Sequence, residues 1–471
     1  MVIIGRKSEQ DQLLRCAKSK MPEFMVIYGR RRVGKTFLIR EVFKNDFTFY
    51  TSGVKQGTRK DKVALFHKDI VAYGGKAETK PESWFDAFDE LKDLLKGDCH
   101  RNAVTGKKIV FLDEVPWMDG KKSDFRPALD RFWNMFGSAM PDLMLIVCGS
   151  ATSWIIDNIL KNTGGFYNRV TESLHLLPFH LGDCERLCRF CGYHFEKSEI
   201  LEYYMAFGGV PFYWRNLNAS LSVSQNIQSL CFEESGKFRY EYRELFRSLF
   251  SPRGRHREVV EFICKKNQGV PRDEISKSFK MSGKQLTKTL EELEECGFLR
   301  EYVEPGHIKR GKTYQVIDPF VRFSIAFLQG ARKSSWTAYR GTPAYYAWAG
   351  NAFELACLNH VTEIKNALGI AGVETSEYAW RSKESNPGAQ IDLLIDRADG
   401  VINLLEMKYT QSPFVIDKDY RMNLLTKEDD FRRESKTRKA IRITLVASSG
   451  LSKNGYSDVI DSLVTGKDLF Q

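Results

Sequence analysis

Gly29-Arg30-Arg31-Arg32-Val33-Gly34-Lys35-Thr36 is spaced G-x-x-x-x-G-K-T, and these residue types suit one task, wrapping a chain of phosphates. Glycine at 29 and 34 lets the backbone aim its N–H groups inward, because it tolerates positive φ and close approach. The Lys35 ammonium can reach the β- and γ-phosphates, and the Thr36 hydroxyl can ligate Mg²⁺. Phe24–Tyr28 ahead of the loop reads as a strand. Phe37–Val42 behind it reads as a helix whose positive end faces the anion. A second apolar run, Lys107–Leu112, ends in Asp113 and Glu114. Ligands of parallel sheets bind at the carboxyl ends of strands. Asp113 is therefore expected to hold Mg²⁺ through water, and Glu114 to polarise the attacking water. Leu143–Gly149 is a third such run, after which Ser150 either senses the γ-phosphate or the attacking water, or simply ends the strand. Arg169, behind Gly164–Asn168, is a candidate arginine finger, acting in cis or on the nucleotide of a neighbouring copy in a homo-oligomer; a surface arginine is the alternative.

A separate constellation lies near the C-terminus. Gln390–Asp396 and Val401–Lys408 read as two strands of a hairpin around Arg397–Gly400. Glu406 and Lys408, two apart, project from one face, and Asp392 on the neighbouring strand can reach it. Asp392 and Glu406 can hold Mg²⁺ as a hard-oxygen site. Lys408 can position water or steady a scissile phosphate, and Glu354 from a helix can complete the set. Such a site hydrolyses phosphodiesters with metal assistance. Outward-facing charges are the alternative, but a charge pair inside the apolar run Val401–Tyr409 wants a reason.

These groups need a scaffold. Strands alternate with helical stretches over the first 180 or so residues, as a parallel α/β sheet requires. The pattern then turns helical to about Phe250, broken at Phe207-Gly208-Gly209-Val210-Pro211 as in a lid. From His256 to Leu328, three helices and two strand-like runs describe a winged helix, its third helix capped by Ser282 and spaced by Leu286, Leu290 and Leu293. Lys284 and Lys288 on that helix, with Lys309 and Arg310 at the ribbon tip, can contact DNA phosphates, although Glu291, Glu292, Glu294 and Glu295 share the helix; a structural spacer is the alternative. The expected divisions are 1–182, 183–250, 251–330 and 331–471.

A net charge of +11 favours an anionic partner such as nucleic acid. No stretch approaches 18 apolar residues, which excludes a hydrophobic helical span. Met1–Arg6 lacks the core of a signal peptide, so a cytoplasmic location is expected. The ten cysteines then read as reduced. Cys184, Cys188 and Cys191, followed by His194, have metal-ligand types. At steps of four and three they also share one helical face with Leu187, where cysteine packs as a small hydrophobe.

The N-terminal region resembles AAA+-related, STAND-like P-loop ATPases of prokaryotes. Gly5-Arg6-Lys7-x-Glu9, the phosphate loop, Leu112-Asp113-Glu114, Tyr167-Asn168-Arg169 with Leu177-Pro178-Phe179, and Gly208-Gly209-Val210-Pro211 carry the resemblance. That family usually has glycine where Asn168 stands. The C-terminal third is similar to the DUF234 domain, which resembles PD-(D/E)xK nucleases, with Asp392, Glu406-Met407-Lys408 and Glu354 fitting the pattern. The resemblance implies ATP and Mg²⁺ as cofactors and nucleotide state coupled to a DNA-directed nuclease-like domain. The alternative is an ATP-switched DNA-binding regulator whose nuclease-like fold is inactive.

Overall fold

The computed structural model describes residues 2–76, 80–120, 123–161, 166, 168–251, 254–266, 269–302, 312–329, 335–382 and 389–471. The chain divides into two compact units, Met1–Pro178 and Phe179–Gln471.

The first unit is built on β1 (Glu23–Tyr28), β2 (Phe49–Ser52), β3 (Lys108–Asp113), β4 (Leu143–Gly149) and β5 (Glu172–His175). They form one sheet in the order β2-β3-β4-β1-β5, and every pairing is parallel. The apolar runs are continuous because both faces are covered. Phe24, Val26, Val110, Leu112, Leu145 and Val147 face one core, while Met25, Ile27, Ile109, Phe111, Ile146 and Cys148 face the other. Helices Arg59–Ala72 and Trp84–Lys96 cover the first face, each started by a capping box, Thr58 with Asp61 and Ser83 with Asp86. Helices Lys7–Lys18 and Lys35–Val42 cover the second through Leu13, Cys16, Leu38 and Ile39. Three strands thus deliver their carboxyl ends to one edge, where Gly29, Asp113 and Ser150 follow.

The second unit opens with helices Leu181–Phe190 and Lys197–Phe207, the latter ended by Gly208 at φ 63°. Helices His256–Cys264, Arg272–Phe279 and Gly283–Glu295 follow. They accompany an antiparallel sheet ordered β6-β8-β7, from β6 (Val270–Pro271), β7 (Leu299–Tyr302) and β8 (Thr313–Val316). Ser282 Oγ accepts from Gln285 N, starting the third helix, and Leu286, Leu290 and Leu293 are buried. The β7–β8 connection with Lys309 and Arg310 lies outside the described residues, as do Gly164, Gly165, Tyr167 and residues 330–334.

The last sheet is mixed, ordered β15-β13-β11-β10-β9. Here β9 (Thr375–Arg381), β10 (Gln390–Arg397) and β11 (Val401–Lys408) pair antiparallel, and β13 (Ala440–Ala447) and β15 (Ser462–Thr465) extend the sheet in parallel. The short β12 (Phe414–Val415) and β14 (Leu451–Ser452) pair beside it. Helix Lys418–Ser435 lays Phe431 into a core with Ile391, Leu394, Ile402, Leu404 and Ile441.

Candidate functional sites

In the first unit the phosphate loop leaves β1 through Gly29 at φ 139°, where a Cβ would stand 2.3 Å from Leu176 O, and enters helix Lys35–Val42 through Gly34 at φ 97°. No other residue fits the first position, because backbone atoms block it. Lys35 is 5 % exposed; its Nζ donates to Gly29 O (2.8 Å), Arg30 O (3.0 Å) and Ser150 Oγ (3.1 Å). Thr36 Oγ1 donates to Asp113 Oδ2 at 2.8 Å. Burial raises the pKa of Asp113 against the Thr36 hydrogen bond, and the Glu114 charge adds to the rise, which marks a carboxylate lacking its countercharge. Glu114 sits at φ 47°, a left-handed conformation uncommon outside glycine, and this turns its carboxylate toward β4. Ser150 N donates to Glu114 Oε2 (3.1 Å) and Ser150 Oγ to Oε1 (2.6 Å). Lys35, Ser150 and Glu114 therefore form one hydrogen-bonded chain. A phosphate oxygen entering the loop takes the same Lys35 donors that the two carbonyls and Ser150 now hold. Arg30, Arg31, Arg32 and Val33 form the loop itself, with Arg32 at φ 71° and Val33 buried.

Arg169 does not join this group. It precedes β5, beside Thr171, whose N donates to Phe24 O and whose Oγ1 donates to Glu23 Oε2. Glu23 begins β1 and the phosphate loop follows its end, so the arginine stands at the opposite edge of the sheet, roughly 17 Å of strand away. That placement separates it from the phosphate loop of its own chain, which leaves a role on a neighbouring copy or a plain surface arginine. At the N-terminus, Arg6 donates to Glu9 Oε1 (2.9 Å) and to Leu177 O, tying the Gly5-Arg6-Lys7-x-Glu9 segment to the residues after β5.

The cysteine cluster resolves toward packing. Helix Leu181–Phe190 buries Cys184, Leu187 and Cys188, and Cys191 is its half-buried C-cap. Among the described residues a different trio, His180, His360 and Glu363, has potential ligand atoms within 4.8 Å of one another. Both nitrogens of His360 are in use: Nε2 accepts from Leu181 N (2.9 Å) and Nδ1 lies 2.7 Å from Ala356 O. Burial holds its pKa down at about 4, which keeps it the neutral cap of that helix. His180 Nδ1 is 2.6 Å from Glu363 Oε1.

In the second unit Asp392 and Glu406 flank the last register pair of β10 and β11, Leu393↔Leu405. The β9–β10 register shifts between Ile391 and Leu394, a bulge of the kind that re-aims a side chain beside a site. Asp392 Oδ2 accepts from Met407 N at 2.9 Å. Glu406 is 3 % exposed and fully engaged: Oε1 meets Lys408 Nζ (2.9 Å) and Tyr420 OH (3.0 Å), and Oε2 meets Lys427 Nζ (2.7 Å). Burial raises the Glu406 carboxyl, but the two lysines outweigh it and hold it below the usual range. Its neighbours go the other way. Burial, then the Glu406 charge, lifts Asp392 to about 6; burial, then the Asp392 charge, lifts Glu354 to about 7 from helix Pro343–Leu358. Three carboxylates and Lys408 thus meet electrostatically, as the residue types imply. Tyr420 and Lys427 were not anticipated. They lie two turns apart on helix Lys418–Ser435, with Leu424 and Phe431 at the matching inward positions, so a lysine on an apolar stripe was the available signal.

Residues 4–217 match the model of a family described as an ATPase domain predominantly from Archaea. An uncharacterized protein of Methanocaldococcus jannaschii is 24 % identical over 333 residues, covering 69 % of this chain and 69 % of its own. A Walker-type ATPase of Pyrococcus abyssi is similar in structure with a TM-score of 0.51 at 20 % identity, over 69 % of this chain and 96 % of its own. The Aeropyrum pernix ORC2 protein, solved in ADPNP and ADP complexes, is similar with a TM-score of 0.42 at 14 % identity, over 68 % of this chain and 92 % of its own. No helix among the described residues is long and apolar enough to cross a membrane. The loop, the acid pair, the parallel sheet and the family match together show that the chain carries a P-loop ATPase domain.

Proposed function

We propose that the chain hydrolyses ATP in its N-terminal unit and couples nucleotide state to a DNA-directed, Mg²⁺-dependent nuclease-like site in its C-terminal unit. In the first site Lys35 binds the β- and γ-phosphates, Thr36 and Asp113 hold Mg²⁺, Glu114 is the base for water, and Ser150 positions Glu114. The divisions that go with this reading are an ATPase core over 1–182, a lid over 183–250, a winged helix over 251–330 and a DUF234-type, PD-(D/E)xK-like domain over 331–471. Lys284 and Lys288 are both exposed and face DNA phosphates in this reading.

The observation that carries the nuclease half is the meeting of half-buried Glu354 and Asp392 and buried Glu406 with Lys408. Two of those carboxyls are pushed up by burial and mutual charge, as groups short of positive countercharge are. Hard oxygen donors in that condition fit a divalent cation. Asp392 and Glu406 would hold it, and the cation would supply Lewis-acid polarisation of the phosphate. Lys408 positions the water. The regulator reading has one specific observation in its favour, the occupation of both Glu406 oxygens by ammonium groups.

Cleavage of linear, branched and single-stranded DNA by the full chain, with ATP, ADP or neither, tests this reading. Cleavage that disappears in Asp392→Ala while ATP turnover persists is expected. No Asp392-dependent cleavage under any condition would transfer the conclusion to the regulator.

A further inference from the structure

Glu406 has one more cation than a phosphodiester site needs. Lys408 reaches Oε1 from the same strand, but Lys427 reaches Oε2 from helix Lys418–Ser435, with its side chain 14 % exposed. A metal ion on Glu406 needs an oxygen lone pair directed at it, and the shorter ammonium contact, 2.7 Å, is at Oε2. Asp392, by contrast, takes its hydrogen bond from the Met407 backbone, and among the described residues no ammonium hydrogen-bonds to it or to Glu354. The local charge is therefore distributed unevenly: both lysines contact Glu406, while Asp392 feels Lys408 and Lys427, and Glu354 feels Arg322 and Lys408, only through space.

We propose that Lys427 sits in the cation's place on Glu406 and yields it when a nucleic-acid phosphate draws the ammonium away, so that cation and phosphate binding at this site are coupled. The inference rests on the reading of Asp392, Glu406 and Lys408 as a phosphodiester site. Lysine suits the role: its charge rides on a flexible four-carbon stem and can transfer from carboxylate to phosphate without breaking the helix that carries it. A divalent ion arriving while Lys427 stays in place meets a like charge across one carboxylate, which is costly in a water-poor site. By linkage, whatever phosphate gains from Lys427 in the presence of the cation, the cation gains in the presence of phosphate.

The test is Mn²⁺ titration of the full chain, read by electron paramagnetic resonance, with and without a short DNA duplex. The signal counted is the part that Asp392→Asn removes, which sets aside the Thr36–Asp113 site. Lys427→Gln keeps an N–H donor for Glu406 but no charge, and is expected to bind Mn²⁺ about tenfold tighter than the parent chain without DNA. Lys427→Arg keeps the charge and shows no such gain. The duplex tightens Mn²⁺ in the parent chain but no longer in Lys427→Gln. Retained ATP binding shows that each variant is folded. Equal, Asp392-dependent Mn²⁺ affinity in the parent chain and Lys427→Gln would overturn the role of Lys427 and leave the site reading intact. Absence of Asp392-dependent Mn²⁺ binding in every variant, with or without DNA, would sink both.

Discussion

At the residue scale, Ser150 links the parts of the proposed nucleotide site, since it touches the Lys35 amine and both carboxylate oxygens of Glu114. Lys35→Ala removes the buried ammonium that the loop holds on the carbonyls of Gly29 and Arg30. It is expected to weaken ATP binding by about 3 kcal/mol, roughly a hundredfold in Kd, as read by nucleotide titration. Glu114→Gln keeps two polar atoms near Ser150 but loses the base, so binding should persist while turnover falls about a hundredfold or more. Wild-type turnover in Glu114→Gln would reassign the base. The contrast with Arg169 shows what sequence carries. Spacing alone singled out Lys35, Thr36, Asp113 and Glu114, which the structure brings together, because each follows or ends an apolar run whose direction is fixed by a parallel sheet. Arg169 stands before its strand, and the same rule, applied to β5, places it at the far edge.

At the element scale, the helix Gly283–Glu295 presents Lys284 and Lys288 outward, yet Lys288 Nζ lies 3.8 Å from Glu292 Oε1, and Glu292 Oε2 is 2.5 Å from His256 Nε2. The acids that seemed set against DNA binding are thus partly consumed inside the unit. If this helix contacts phosphates, Lys284→Glu with Lys288→Glu should lower affinity for all DNA sequences alike. The slope of log affinity against log salt should shrink by about two, one for each lysine, in fluorescence anisotropy. An unchanged slope would make the element a spacer. Helix Lys418–Ser435 was less legible. Its approach to β11 joins residues far apart in the chain, and no local periodicity says which strand a polar residue on its inner face will meet. The hairpin holding Asp392 and Glu406 was readable because its partners are close in sequence.

At the scale of the whole molecule, the second site stores a pH dependence. Asp392 and Glu354 titrate near 6 and near 7 in the folded chain, above their usual carboxyl values. Raised acids stabilise the fold at low pH and lose that contribution as pH rises through those values. Without divalent ions, stability should therefore fall between about pH 4 and pH 7, from the ordinary carboxyl values up to the raised ones. Asp392→Asn should flatten the fall and be the more stable protein at pH 8 by about 1–2 kcal/mol, in urea unfolding followed by tryptophan fluorescence. Added Mg²⁺ should recover more stability at pH 8 in the parent chain than in Asp392→Asn, the difference setting aside the Thr36–Asp113 site, and a flat parent profile would contradict the shifts. The strand order of the first unit bears on how the molecule comes into being. β1 is the first strand made, yet its two neighbours are β4 and β5, which end at Gly149 and His175. During synthesis Phe24–Ile27 must wait for well over a hundred further residues before either edge is paired. Until then it is an exposed apolar edge, the kind of surface that invites misassociation. Nascent chains arrested before residue 143 should accordingly be the ones that chaperones hold, and the close packing of Gly29 on Leu176 can form only after β5 has emerged.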